Sequence, residues 1–243
     1  MHKWIGYVGN KFDTADKIIK HFPNKINTYW EPFCGSLSIY FKLINTKSIQ
    51  VNSYQLSDSN QDLVNLYNTP KEILLKSYQE LRTQLDSSPN PKQFYNLIRS
   101  TFNLTKDPTL FHFLIRVCFH KLIRYNNKGE FNAAFNYPPE SNVSQITIPD
   151  FPKVECQDYY SILDNTTPGD FVYLDPPYMG DGPDYLGQFD FNRLYKFMDK
   201  LKNKGVKFGI SFNTEIEGLS SHIIKQKVMK FSNKVMTDYF LLG

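Results

Sequence analysis

The sequence predicts an α/β fold, a sheet with flanking helices that carries a mostly helical insertion over residues 71–150. Three observations point there. Apolar strand-like segments alternate with helix-period segments toward both ends of the chain, the middle carries helical periodicity without strands, and three strand candidates end on or just before an acidic residue: Glu31, Asp58 and Asp175. In open α/β sheets ligands gather outside the carboxyl ends of the strands, so these three ends are where chemistry is expected.

Each element has a local reason. Ile18, Ile19 and Phe22 share one face behind the polar start Asp13-Thr14, which predicts a helix over 14–22. Tyr29 to Glu31 reads as a strand broken at Pro32; the loop Phe33-Cys34-Gly35-Ser36 then runs into a helix at LSIYFKLI. IQVNSYQLS, 49–57, alternates apolar and polar residues as a strand does, and a helix is expected from Asn60. Helices are predicted over 71–85, 92–102 and 108–123, followed by a polar, proline-containing stretch to 152. Strands resume at 153–157 and 170–174, a helix spans 192–203 and stops at Gly205, and KFGISF reads as another strand. Residues 1–70 with 151–243 form one expected domain, and 71–150 the inserted subdomain.

At 243 residues the chain is long enough to bury a core without cross-links. A hydrophobic content of 41% with 16% aromatics excludes a disordered chain. No apolar run approaches the roughly 18 residues that cross a bilayer, and MHKWIGYVGNKF lacks the apolar stretch of a signal peptide, so no membrane association and an intracellular, cytoplasmic location are expected. Cys34, Cys118 and Cys156 are widely spread with no metal-ligand spacing, so neither a disulfide scaffold nor a metal site is expected. Positive charge is concentrated: residues 92–137 hold seven basic against two acidic side chains, while the whole chain carries only +4. Such a segment is expected to face something acidic.

The motif with most chemical content is Asp175-Pro176-Pro177-Tyr178. A carboxylate directly after the apolar strand FVYL, two prolines that stiffen the backbone, and an aromatic ring form a rigid edge with a stacking face. A proline turn leaving a strand is the alternative. The edge fits a flat nitrogenous base bearing an amino group. Such an amine is a poor nucleophile because its lone pair is delocalised; hydrogen bonds to Asp175 and the Pro176 carbonyl favour pyramidal nitrogen and stabilise charge that develops during attack. Tyr178 stacks on the base and holds the line of attack. The Gly35 loop permits close backbone approach to a ligand but is equally readable as a structural turn. Asp58 suits ribose hydroxyls, or alternatively caps a helix with Ser59 and Asn60.

Taken in order, YVGNK at 7–11, EPFCGSLS at 31–38, LSDSNQDLVNLY at 56–67, LIRYNNKGEFN at 122–132 and DFVYLDPPY at 170–178 resemble the Dam-type, D12 class adenine-specific DNA methyltransferases, and KGVKFGISFN at 204–213 is most similar to T-even phage members. The resemblance runs through nearly the whole chain. It implies a Rossmann-like S-adenosylmethionine-dependent methyltransferase sheet with an inserted, mostly helical DNA-recognition subdomain. It also implies methyl transfer to the exocyclic amine of an adenine flipped out of double-stranded DNA, in GATC or a related short site, by a monomer or a weak dimer on DNA, in a bacterial cell, with a phage-encoded origin as one expectation, in the context of restriction and modification. Alternatives are a DNA-binding homologue without turnover, and an amino-methyltransferase acting on cytosine or RNA.

Carried over by motif, Tyr7 and Lys11 are similar to the family's N-terminal cofactor contacts, Glu31 and Gly35 to its cofactor loop, and Asp58 to its ribose-holding acid. Asp158 and Tyr159 fall where a segment beside the cofactor adenine is expected, and Asp175, Pro176, Pro177 and Tyr178 match the catalytic motif. Arg124 resembles a guanine-reading arginine, a contact type worth roughly 1–3 kcal/mol of discrimination. Phe119 and Leu122 resemble residues that wedge into the duplex or touch a thymine methyl, with core packing as the alternative for Phe119. Lys121, Arg116 and Lys128 are expected on phosphates. The chain departs from its relatives at His120-Lys121, where an Asn-Gly pair is common, and at Ala134-Phe135-Asn136, where Pro-Phe-Gly is common.

Overall fold

A computed structural model describes residues 11–136, 148–177, 189–211, 234–237 and 240–242. The described chain divides into two compact units, one of residues 11–59 with 155–243 and one of 60–154. The sequence reading places that boundary at 71 and 150 instead.

The first unit is built on β4 (Phe171–Leu174), whose four residues are all buried, the pattern of a central parallel strand covered on both faces. Around it lies one sheet in the order β3-β2-β1-β4-β5-β7-β6. Strands β1 (Lys25–Glu31), β2 (Gln50–Asp58), β3 (Glu155–Cys156), β4 and β5 (Lys207–Ser211) run parallel; β7 (Phe240–Leu242) is antiparallel to both β5 and β6 (Lys234–Thr237). The expected α/β class is therefore the observed one. The last two strands were not anticipated from the sequence.

Alternation along β1 and β4 sorts the core into two layers. Tyr29, Phe171 and Tyr173 pack with Phe22, ring centroids 4.6–5.9 Å apart, beside α1 (Ala15–Ile19). Trp30, Val172 and Leu174 join Leu194, Phe197 and Met198 of α7 (Phe191–Asn203) on the other side. Asp170 ties the two central strands together. Nearly buried, its carboxylate accepts hydrogen bonds from the Thr28 N–H (3.1 Å), the Trp30 indole Nε1 (3.2 Å) and the Thr167 N–H (2.9 Å). Asp170→Ala leaves four donors, the Thr167 hydroxyl at 3.4 Å among them, without this acceptor and is expected to cost about 3 kcal/mol, read as a lowered denaturant midpoint.

The second unit stacks α4 (Lys71–Ser87), α5 (Pro91–Thr105) and α6 (Pro108–Val117), with α3 (Gln61–Tyr67) against α6. Asn90 and Asp107 cap α5 and α6 through their side chains, each followed by a proline at the first turn. The helix expected over 108–123 stops six residues early. Cys118 leaves helical geometry to pair with Phe135, and the Phe119 N–H donates to the Ala134 carbonyl at 2.8 Å, so a long-range bridge outcompetes the next helical turn.

Candidate functional site

The strand order reverses between β1 and β4, whose neighbours β2 and β5 lie on opposite sides, and at such a switch point the loops diverge and leave a crevice. Glu31 closes β1, Asp58 closes β2, and Asp175 follows β4, so the sheet brings together the three acids that the sequence placed at strand ends.

Asp58 is 7% exposed and its Oδ2 accepts a hydrogen bond from the Gly35 N–H at 2.9 Å. Helix capping falls instead to Asn60, whose Oδ1 accepts from the Asp62 and Leu63 N–H groups. The carboxylate thereby holds the loop between β1 and α2 (Ser38–Leu43) rather than a helix end. That loop is tightly wound. Gly35 has φ 43° and buried Leu37 has φ 58°, a left-handed conformation that costs a residue with a Cβ of order 1–3 kcal/mol and concentrates at ligand-binding turns.

Glu31 is buried, 2% exposed, and points to the same side of β1 as Tyr29. The Tyr29 hydroxyl donates to its Oε2 at 2.9 Å, and the Tyr40 N–H also donates to it. Burial pushes the Glu31 carboxyl up to about 8; the charges of Asp175 and Asp58 push the same way, and the two hydrogen bonds only partly oppose them. The unfolded chain loses this proton near 4.5, so the group costs stability as pH rises from there to about 8. Lys11 Nζ pairs with Asp175 Oδ1 at 2.7 Å, both side chains mostly shielded. The structure thus joins Lys11 to the head of the Asp-Pro-Pro segment. Tyr7 and Tyr178 lie outside the described residues.

Beside the Gly35 loop stands an aromatic wall. Phe33 stacks on Tyr159 at 5.1 Å, and Phe189 packs against both rings. The Tyr159 hydroxyl is buried without a hydrogen-bond partner among the described residues. Asp158 caps the 3-10 helix Tyr159–Asn165 and takes a two-pronged ion pair from Arg193, at 2.8 and 2.6 Å. Burial pushes its carboxyl up, but hydrogen bonds from Arg193 and the Tyr160 N–H, with the guanidinium charge, outweigh that and hold it below the usual carboxylate range. Arg193 also covers the Tyr159 and Tyr160 rings, at 5.2 and 5.0 Å. Phe33 and Arg193 were missed from the sequence. Phe33 sits inside the EPFCGS motif and could have been found there; Arg193 lies on an ordinary amphipathic helix that signals nothing.

In the helical unit, Arg124 is exposed, and its Nε and Nη2 donate to the side chain and backbone oxygens of Asn132 at 2.9 and 3.1 Å. It sits on a hairpin turned at Asn126–Gly129 and bridged at Tyr125 and Phe131. Tyr125 anchors that hairpin by donating to Asp62 Oδ2 at 2.9 Å. Phe119 is 52% exposed, so the core-packing alternative does not hold. His120 and Lys121 both adopt left-handed φ, 54° and 56°. This is the conformation an Asn-Gly pair takes at least cost. Leu122 and Lys121 are half-buried, and Lys128 is exposed.

Arg116 requires a correction. Expected on a phosphate, it is buried in the helical bundle, where Nε donates to His112 Nε2 at 3.3 Å and the guanidinium lies over Tyr78. Its charge is committed inside, which also holds the His112 imidazole neutral: burial, then the Arg116 charge, lower it to about 3. Arg99 and Lys106 are likewise engaged within the unit, by the Ala133 carbonyl and by Asp62. The basic segment therefore offers less free charge than its composition suggests.

The comparisons with known proteins agree with this geometry. The family model described as D12 class N6 adenine-specific DNA methyltransferase matches residues 7–236. The chain is 32% identical to the DNA adenine methylase of Serratia marcescens over 72% of its own length and 66% of that protein's. It is 31% identical to the DNA adenine methylase of Escherichia coli K12, over 72% and 64%. It is 27% identical to the type II methyltransferase M.MjaIII of Methanocaldococcus jannaschii, over 88% and 85%. The chain thus spans just under two thirds of the Serratia and Escherichia proteins and most of the Methanocaldococcus one. With the family model covering nearly its whole length, the chain belongs to the D12 class N6 adenine-specific DNA methyltransferases.

Proposed function

We propose that this protein methylates the exocyclic amine of adenine in double-stranded DNA with S-adenosylmethionine as donor, at GATC or a related short site. The observation that carries the reading is the gathering of Glu31, Asp58 and the Lys11–Asp175 pair at the switch point of the sheet, ahead of Pro176 and Pro177. These residues fit the donor. A buried acidic cluster suits a cationic nucleoside, the Asp58-held Gly35 turn permits backbone approach, and the aromatic wall of Phe33 and Tyr159, whose hydroxyl has no partner among the described residues, suits a base. When bound, the sulfonium supplies an activated methyl group.

The chain's own part is positioning and electrostatics. Lys11 orients the Asp175 carboxylate, which accepts one amine proton in a hydrogen bond while the Pro176 carbonyl accepts the other. Tyr178 stacks on the flipped base and offsets part of the few kcal/mol that unstacking costs. The methylated amine is acidic enough to lose its proton to water, so no strong base is required. Asp58 holds ribose hydroxyls. Asp158, taken by Arg193, acts on the cofactor adenine through the Tyr159 ring it supports rather than as a free carboxylate.

Arg124 on its hairpin reads a guanine, Phe119 and Leu122 meet the duplex, and Lys121 and Lys128 take phosphates. The pre-paired Arg124–Asn132 geometry favours base reading, because a guanidinium already fixed in direction loses little freedom on docking. The protein acts in the bacterial cytoplasm as a monomer or weak dimer on DNA. Residues 204–213 favour a phage-type member.

Expression in a cell lacking adenine methylation, followed by sequencing that detects modified bases, tests the reading. N6-methyladenine at one short motif is expected; unmodified DNA from a folded, expressed protein would end it. With Arg124→Ala the motif relaxes at one base, whereas with Lys121→Ala it is kept and the yield drops at higher salt.

A further inference from the structure

The acidic cluster has an unusual composition for a site that must also release a product. Glu31 is buried on β1, bonded to the Tyr29 hydroxyl on its own strand and to the Tyr40 N–H of α2. The charged groups acting on it come from neighbouring elements: Asp58 from the end of β2 and Asp175 from the end of β4, the latter paired with Lys11 of the N-terminal segment. The Cys34 thiol lies on the adjoining loop, pushed up by burial and then by the charges of Asp58 and Glu31. Tyr29 is raised by burial and by Glu31, with Tyr173 behind it bonded to Ser211 of β5. Lys11 is directed at Asp175, and Glu31 makes its two hydrogen bonds with neutral donors.

We propose that Glu31 is a charge-sensing residue that gives up its proton when a cationic methyl donor enters the crevice and takes it back when the neutral thioether product is left. The inference rests on the methyl-donor reading above. Methyl transfer removes the sulfonium's positive charge while barely altering its shape, so contacts of shape alone bind donor and product alike. A buried carboxyl whose midpoint is pushed up to about 8, mostly protonated at pH 7, converts that change of charge into a change of affinity. Facing a cation, the ionised form gains an opposite charge in a poorly solvated site; facing a neutral thioether, it gains none and remains protonated. The Tyr29 hydroxyl serves both states, since it donates to the carboxylate and equally to the carbonyl oxygen of the acid. Proton balance is simple: Glu31 releases H⁺ to solvent on donor binding and recovers it with product.

Isothermal titration calorimetry of the full chain at pH 7, in two buffers of different ionisation enthalpy, measures the proton directly. S-adenosylmethionine is expected to release close to one proton per molecule bound and S-adenosylhomocysteine close to none. The affinity ratio of donor to product is expected to rise up to tenfold per pH unit between about 6 and 8. Glu31→Gln keeps the shape and the Tyr29 bond, and is expected to abolish the difference in proton release and flatten that ratio. Equal proton release by both ligands, or release retained in Glu31→Gln, overturns the proposal. Failure of the wild-type protein to bind S-adenosylmethionine at all would instead sink the methyl-donor reading. The wild-type comparison stands without the variant, so a misfolded Glu31→Gln leaves the proposal falsifiable.

Discussion

Asp175→Ala is expected to reduce the single-turnover methyl-transfer rate by about 10³-fold, as removal of one preorganised charge-stabilising group does, with less than about tenfold effect on DNA and donor affinity. Two losses combine. In the proposed mechanism the amine loses the acceptor that stabilises charge developing on its nitrogen, and Lys11, 2.7 Å from that carboxylate and only 12% exposed, is left a partly buried cation without this partner. Asp175→Asn separates them: it keeps an acceptor oxygen but no charge, and is expected to fall between the wild type and alanine. Rapid-quench measurement with a labelled donor reads the chemical step. Wild-type rates in folded Asp175→Ala would take this residue out of the mechanism.

The second large effect is expected at Asp58. Replacement by alanine is expected to weaken S-adenosylmethionine binding by about 100-fold, equivalent to about 3 kcal/mol. The carboxylate holds the Gly35 N–H at 2.9 Å and so fixes a loop that already carries the left-handed Leu37. Without it the loop loses the hydrogen bond to Asp58 that opposes its strain, and the proposed contact to ribose hydroxyls is lost as well. Asp58→Asn retains an oxygen for the Gly35 N–H, and is expected to recover most of the stability while leaving donor affinity reduced. A folded Asp58→Ala that binds the donor within threefold of wild type would show that the cofactor lies elsewhere.

The ambiguity at Asp58 shows how far local pattern carries. The stretch Asp58-Ser59-Asn60 before an apolar helix is a capping signal, and any of the three side chains satisfies it on local grounds. The choice of Asn60 depends on where Gly35 sits, and Gly35 is brought next to Asp58 by the pairing of β1 with β2. Arg116 is the same lesson with opposite sign. A basic residue in a basic segment reads as surface charge, yet at helical spacing from His112 and against the Tyr78 ring it is enclosed by the packing of α4 on α6. Helical period shows which residues share a face, but not which neighbour covers that face.

What could be read from the chain alone was whatever depends on near neighbours. Strand and helix alternation, the buried run FVYL, the acids at strand ends and the family likeness all reside in segments of a few residues, where periodicity and turn chemistry act directly. Contacts distant along the chain set everything else: Lys11 against Asp175, the proton held on Glu31, the early end of α6 at the Cys118–Phe135 bridge, and the antiparallel β7 between β5 and β6. The physical reason is that ionisation and pairing follow the dielectric and the partners at a point in space, and folding is what places residues 11, 31, 58 and 175 around the same point.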